Sequence, residues 1–121
     1  MTKLICAALV TFSLVAIPLE VSAQENYPFQ TGNDFLSQCE VGSDALSEAY
    51  CLGYIAGLVD RDAVAQGLNE GAGMICLPEE SNLRQSVDVV LEFLRETPEV
   101  RHESARILAL IALGRAFPCA G

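Results

Sequence analysis

The stretch Ser81–Thr97, S-N-L-R-Q-S-V-D-V-V-L-E-F-L-R-E-T, decides the fold class. Leu83, Val87, Val90, Leu91 and Leu94 recur at the i, i+4, i+7, i+8, i+11 spacing of one helix face. Arg84, Asp88, Glu92, Arg95 and Glu96 take the other side. Arg84 and Asp88 attract at four-residue spacing while Asp88 and Glu92 repel, so a solvated face accounts for these charges without a function. Ser81 is expected to cap this helix, since its side chain can accept one of the unpaired N–H groups of the first turn.

Toward the C-terminus, Thr97-Pro98-Glu99 stops one helix and starts another. Thr97 suits the N-cap, Pro98 the first helical position and Glu99 the first turn. The reading is a continuous helix from about Pro98 to Ala116, apolar nearly all round between Ile107 and Leu113, as expected of a central helix. Pro118 ends it and Cys119 fastens the end.

Toward the N-terminus, residues 67–77 carry Gly67, Gly71 and Gly73 with Asn69 and Glu70, the composition of an irregular loop pinned at its far end by Cys76 and Pro78. Before the loop, Ser43 is expected to cap a helix reaching about Ala65, with Asp44 and Glu48 near its positive end. Leu46, Tyr50, Gly53, Tyr54, Gly57 and Leu58 fall on or near one face of it. Gly53 and Gly57 leave a shallow groove that lets another helix approach closely, and this offsets the helix propensity that glycine costs. Packing within the chain is the commoner use of such a groove, and a homodimer is the other. Earlier still, Thr31 or Asn33 caps a short helix with Phe35, Leu36 and Cys39 on one face, closed by Gly42. No alternating β-branched run and no Asn-Gly hairpin competes. The fold class is all-α, a small four-helix domain.

The first residues are of another kind. Lys3 precedes an apolar run from Leu4 to Ile17, and Val21-Ser22-Ala23 offers small residues at the positions a signal peptidase reads. The run is shorter than the ~20 apolar residues of a bilayer span, and Pro18 and Glu20 close it. Residues 1–23 are therefore read as a cleavable signal peptide, and 24–121 as a single exported domain with a loose lead up to Thr31. No later stretch is long and apolar enough to span a membrane. Cleavage removes one cation, one anion and Cys6, so the net charge of −9 is unchanged.

Four cysteines then remain: Cys39, Cys51, Cys76 and Cys119. An even count in an exported chain implies disulfides, each contributing ~2–4 kcal/mol to a domain of modest core. No short C-x-x-C pair suggests zinc, and no cofactor is implied. Three pairings are open. The nested one, Cys39 with Cys119 and Cys51 with Cys76, joins the ends of the first and last helices and ties the second helix to its loop. Cys39 with Cys51 is sterically easy too.

A charge of −9 disfavours nucleic acid, which needs Lys and Arg for its phosphates, and suits a basic protein partner. Solubility alone explains it equally well. Catalysis finds little support. His102 is the sole histidine and follows Arg101 with no free cysteine to activate. Asp60-Arg61-Asp62 places its carboxylates two residues apart, where they do not face each other on a helix, so a solvated face is expected. Glu79-Glu80 lies where a helix start favours negative charge anyway. No phosphate loop and no nucleophile elbow is present.

An ordered set of motifs spans nearly all of residues 24–121: Gly32–Cys39 (G-N-D-F-L-S-Q-C), Cys51–Gly57 (C-L-G-Y-I-A-G) followed by Asp60, Cys76-Leu77-Pro78, and Pro98–Cys119, opening P-E-V-R-H and closing A-L-G-R-A-F-P-C. In this the chain resembles the Rap/Tai family of type VI secretion amidase immunity proteins. The resemblance implies a helical, often dimeric periplasmic inhibitor. It would bind a peptidoglycan amidase toxin delivered by neighbouring bacteria, and would catalyse nothing itself. The matching positions are mainly structural: the four cysteines, Gly53 and Gly57, and Phe117-Pro118. The toxin-gripping surface lies outside them.

The residues themselves suggest one candidate surface. The loop tip with Asn69, Glu70 and Gly71, anchored by Cys76, is a reasonable plug for an enzyme cleft, although a plain connector is the simpler reading. Two other classes compete with the inhibitor. One is an HdeA-like periplasmic stress chaperone that loosens in acid as its paired carboxylates protonate. The other is a structural or interaction protein of the cell envelope.

Overall fold

The computed structural model describes residues 30–40, 44–68 and 73–120. The expected leader at 1–23, the lead after it, Gly42, Ser43, and the loop tip with Asn69, Glu70 and Gly71 lie outside the described residues. The chain forms α1 (Gly32–Glu40), α2 (Ala45–Gly67), α3 (Leu83–Glu96), a short 3-10 turn (Pro98–Val100) and α4 (Ala105–Ala116). Among the described residues the only extended pairings are two isolated bridges, Thr31 with Ser104 and Ile75 with Pro118.

The first three helices start for local reasons. Thr31 and Asp34 satisfy one another at the head of α1: the Asp34 N–H donates to Thr31 Oγ1 (3.2 Å), and Thr31 N–H and O–H both donate to Asp34 Oδ2 (2.9 and 2.7 Å). Asp44 caps α2 by accepting from Ser47 N at 2.7 Å. The cap of α3 is Asn82, accepting from Gln85 N at 2.9 Å, and not the expected Ser81. The Ser81 hydroxyl instead donates to the Pro78 carbonyl at 2.6 Å and closes the turn before the helix.

The continuous helix expected from Pro98 to Ala116 is broken. Pro98 starts only a 3-10 turn, and α4 begins at Ala105. The cause lies in α1. The N–H groups of Gly32 and Asn33 donate to the carbonyls of Glu103 and Arg101, both at 2.9 Å, and Ala105 N–H donates to Gln30 O at 2.8 Å. In an unbroken helix those two carbonyls would be taken by N–H groups four residues on. Here they serve the unpaired donors at the head of α1.

Phe35, Ile55, Val87, Val90, Leu94 and Leu113 form the fully buried centre. The face predicted for α3 is the buried one, with Val87, Val90, Leu91 and Leu94 inside. α4 packs against all three other helices, as its composition suggested, although Ile107 remains half exposed. Exposed ion pairs lie over the seams, Arg95 with Glu40 at 2.7 Å and Arg84 with Glu48 at 2.9 Å.

The disulfides correct the nested expectation. Cys39 pairs with Cys51 and Cys76 with Cys119. α1 and α2 are packed consecutive helices, so the last turn of one lies beside the second turn of the other, with Cα atoms 5.9 Å apart. At the other end, Cys76 N–H donates to Phe117 O at 2.9 Å and Ile75 bridges to Pro118. That pairing brings Cys119 to a Cα distance of 4.8 Å from Cys76.

The packing expected of Gly53 and Gly57 within the chain is absent. A Cβ added at either would meet no atom within 4 Å. The core takes the opposite side of α2, through Cys51 and Ile55.

Candidate functional site

His102 is exposed, and its Nε2 lies 3.2 Å from Glu103 Oε1, an ion pair when the imidazole is protonated. The four cysteines are all joined. Among the described residues no group of three or more His, Cys, Asp or Glu side chains converges as a metal site would. Among the described residues, two surfaces stand out.

The first is the base of the loop between α2 and α3. Asp62, placed on a solvated face by the sequence reading, is only 2% exposed. Its Oδ1 accepts from Met74 N at 3.1 Å, and its Oδ2 from Ile75 N and Gln66 Nε2, both at 3.0 Å. Gln66 Nε2 also donates to the Ile75 carbonyl at 3.0 Å. Burial pushes the Asp62 carboxyl up. The hydrogen bonds from Met74, Gln66 and Ile75, with the nearby Arg61 cation, outweigh burial and hold it below its ordinary 3.8. One buried carboxylate thus grips the returning strand of the loop, and Cys76 bonds it to the chain terminus one residue later. Sequence held the signal. Asp62 lies eleven residues beyond Cys51 and seven beyond Ile55, on the stripe that α2 buries. Gln66, four residues on, shares that stripe.

The second surface is the outer side of α2. Leu46, Val64 and Leu68 are 80%, 60% and 62% exposed, and Tyr50 is also exposed. Gly53 and Gly57 lie between them with open space above. At the N-terminal end of this surface the Tyr50 hydroxyl hydrogen-bonds Gln30 Oε1, and the ring of Tyr54 stands 6.1 Å from that of Tyr50 and 5.2 Å from that of Phe35.

Of the residues named from sequence, the structure brings Cys39 to Cys51 and Cys76 to Cys119, and it turns Gly53 and Gly57 outward together. Asp62 and Gln66 were missed as parts of a site.

Compared with known proteins, the chain matches one family model, described as Rap1a immunity proteins, over residues 31–119. No curated protein and no solved structure matches it. The matched span runs from the capping Thr31 to the last bonded cysteine, and it takes in all four helices and both disulfides. It is also the family that the ordered motifs resemble. The chain therefore belongs to the Rap1a immunity protein family.

Proposed function

We propose that this protein is exported to the periplasm and there binds and inhibits a type VI secretion toxin that cleaves peptidoglycan as an amidase. The observation that carries the reading is the family match across 31–119, a span that contains all four helices and both disulfides. Immunity is achieved by binding, so the protein needs a rigid presenting surface and no catalytic group. Two disulfides fit an oxidising compartment. The leader-like residues 1–23 fit export, and no helix among the described residues is long and apolar enough to cross a membrane.

The inhibitory element is assigned to the loop tip, with Asn69, Glu70 and Gly71 as the contacting residues. Support comes from its anchors: a loop held by Asp62 and Gln66 and then by Cys76 loses less freedom on entering a cleft than a free loop would.

The test uses the oxidised chain from residue 24 onward and the amidase encoded beside its gene. A stoichiometric complex in which peptidoglycan cleavage stops is the expected result. Glu70→Lys should then weaken inhibition while the melting temperature stays unchanged. An amidase that cleaves equally fast with saturating protein overturns the inhibitory reading. Full inhibition by the Glu70→Lys variant overturns only the assignment of the loop.

A further inference from the structure

Two neighbouring cavities, each of about 400 Å³, lie between α1 and the first turns of α2. Each is within the size range of small-molecule sites. Gln30, Asp34, Gln38, Tyr50 and Tyr54 line one of them, and Gln38, Leu46, Ser47 and Tyr50 the other. Gln38 and Tyr50 therefore belong to both.

The lining is held in place before any ligand arrives. Gln30 is only 9% exposed. Its Oε1 accepts from the Tyr50 hydroxyl, and its Nε2 donates to Gln38 Oε1 at 3.1 Å. This chain of bonds orients the Tyr50 ring and fixes which end of the Gln38 amide is free. Among the described residues, Gln38 Nε2 has no acceptor, and Asp34 Oδ1 has no donor because Thr31 bonds only Oδ2. Tyr54 is half-buried, and its ring centroid stands 6.1 Å from that of Tyr50, with the two planes inclined at 36°.

We infer that these paired cavities bind a neutral glycan, with two consecutive pyranose rings lying on either side of Tyr50. The chemistry of the lining selects this class. A sugar hydroxyl donates and accepts at once, so it can use the free Asp34 oxygen and the free Gln38 N–H groups together. The C–H groups on one face of a pyranose are weakly positive and apolar, and they suit the negative face of an aromatic ring. Other classes fit less well. An anion would meet the Asp34 carboxylate with no cation in the lining. A cation would gain from that carboxylate and the two rings. Arg106 opposes it. Burial and then Tyr50 push the Tyr54 hydroxyl up, and the Arg106 charge acts against them, which brings that cation within electrostatic reach of the site. A wholly apolar ligand would strip water from Asp34 and Gln38 and return nothing. The site lies apart from the loop between α2 and α3, and the inference survives failure of the inhibitory reading.

The test is calorimetric titration of the oxidised chain from residue 24 onward with three neutral tetrasaccharides: β-1,4-linked N-acetylglucosamine, β-1,4-linked glucose and α-1,4-linked glucose. Binding of at least one is expected, with a dissociation constant on the order of 1 mM because the cavities are open. The oligomer bound best identifies the source of the glycan. Its monosaccharide should bind about tenfold or more weakly, since it fills one cavity of the two. Tyr50→Ala should weaken binding by about tenfold or more. Gln38→Ala alters an exposed residue of α1, keeps the fold by circular dichroism, and should weaken binding several-fold. Tyrosine emission gives a second reading, because the chain has no tryptophan to mask it. Absence of binding to all three tetrasaccharides overturns the inference, as does binding indifferent to both substitutions. Tighter binding of tetramethylammonium than of any glycan would overturn it in favour of a cation site.

Discussion

Ser86 is buried to 0% exposure in the core-facing side of α3, and its hydroxyl has no hydrogen-bond partner. A buried hydroxyl left unpaired costs free energy that an alanine methyl does not. Ser86→Ala should therefore stabilise the domain by about 1 kcal/mol, also gaining helix propensity. Urea unfolding will check it, and a loss of stability would mean that the hydroxyl serves a purpose. Asp62 is the opposite case, a buried group fully used. Asp62→Asn replaces one acceptor oxygen by an amine that faces donors, and should cost about 2 kcal/mol. The pH dependence follows by sign. The folded carboxyl titrates below 3.8, so the unfolded chain takes up this proton first. Its stabilisation is complete above pH 3.8 and is lost as pH falls through the lower folded value. Asp34 and Asp44 are also held below 3.8, Asp34 chiefly by the Thr31 hydroxyl and Asp44 chiefly by the Ser47 N–H, and they act in the same direction. Acid titration of stability should show a shallower acid limb in the Asp62→Asn variant than in the native chain. Identical limbs would remove Asp62 from the account. The three carboxylates were visible in sequence as residue types. What could be read of each depended on distance: Asp34 and Asp44 bond within three residues, whereas the partners of Asp62 at 74 and 75 lie across a loop.

Among elements, α1 meets the turn before α4 at close quarters. A Cβ on Gly32 would come within 2.7 Å of the Leu108 side chain and 3.0 Å of the Arg101 carbonyl. Gly32→Ala should thus cost about 1–3 kcal/mol through overpacking. The usual gain from replacing a helix glycine should appear instead at Gly53, where the space is open. Comparing the two variants by thermal unfolding isolates the contact, and equal melting temperatures would show that the site relaxes freely. This junction also explains which helices were legible. α3 announces itself because its burial follows its own period, and its face was read correctly in Val87, Val90, Leu91 and Leu94, while Leu83 is only half-buried and the buried Ser86 was missed. The break between Pro98 and Ala105 was not legible, because nothing in that segment forbids a helix. The competing partner is the N-terminus of α1, some seventy residues away in sequence and adjacent only in the fold. The groove of Gly53 and Gly57 was seen for the same local reason that α3 was. Its direction was misjudged because spacing alone does not say which of two apolar faces meets the core.

For the whole molecule, the disulfides set the scale of stability. The bridges close spans of 12 and 43 residues. On chain-entropy grounds the shorter should contribute about 3 kcal/mol and the longer about 4. Replacing Cys76 and Cys119 with serine should therefore lower the unfolding free energy more than replacing Cys39 and Cys51, as judged by denaturant titration. The reverse order would point to strain or residual structure overriding loop length. Removing the longer bridge also frees the far end of the loop between α2 and α3, so the two pairs separate by a second readout. Amide exchange at Met74 and Ile75 should quicken in one double variant and not in the other. The bridging pattern could not be chosen from sequence, since all three pairings use the same four side chains and only the fold decides which distances are short.

The pairing that the fold selects joins the first cysteine to the second and the third to the fourth. A chain that emerges N-terminus first presents Cys39 and Cys51 while Cys76 and Cys119 are still to come. An oxidant that links thiols in order of arrival therefore reaches the native state directly. Biogenesis of this protein should need a disulfide-forming catalyst and no isomerase.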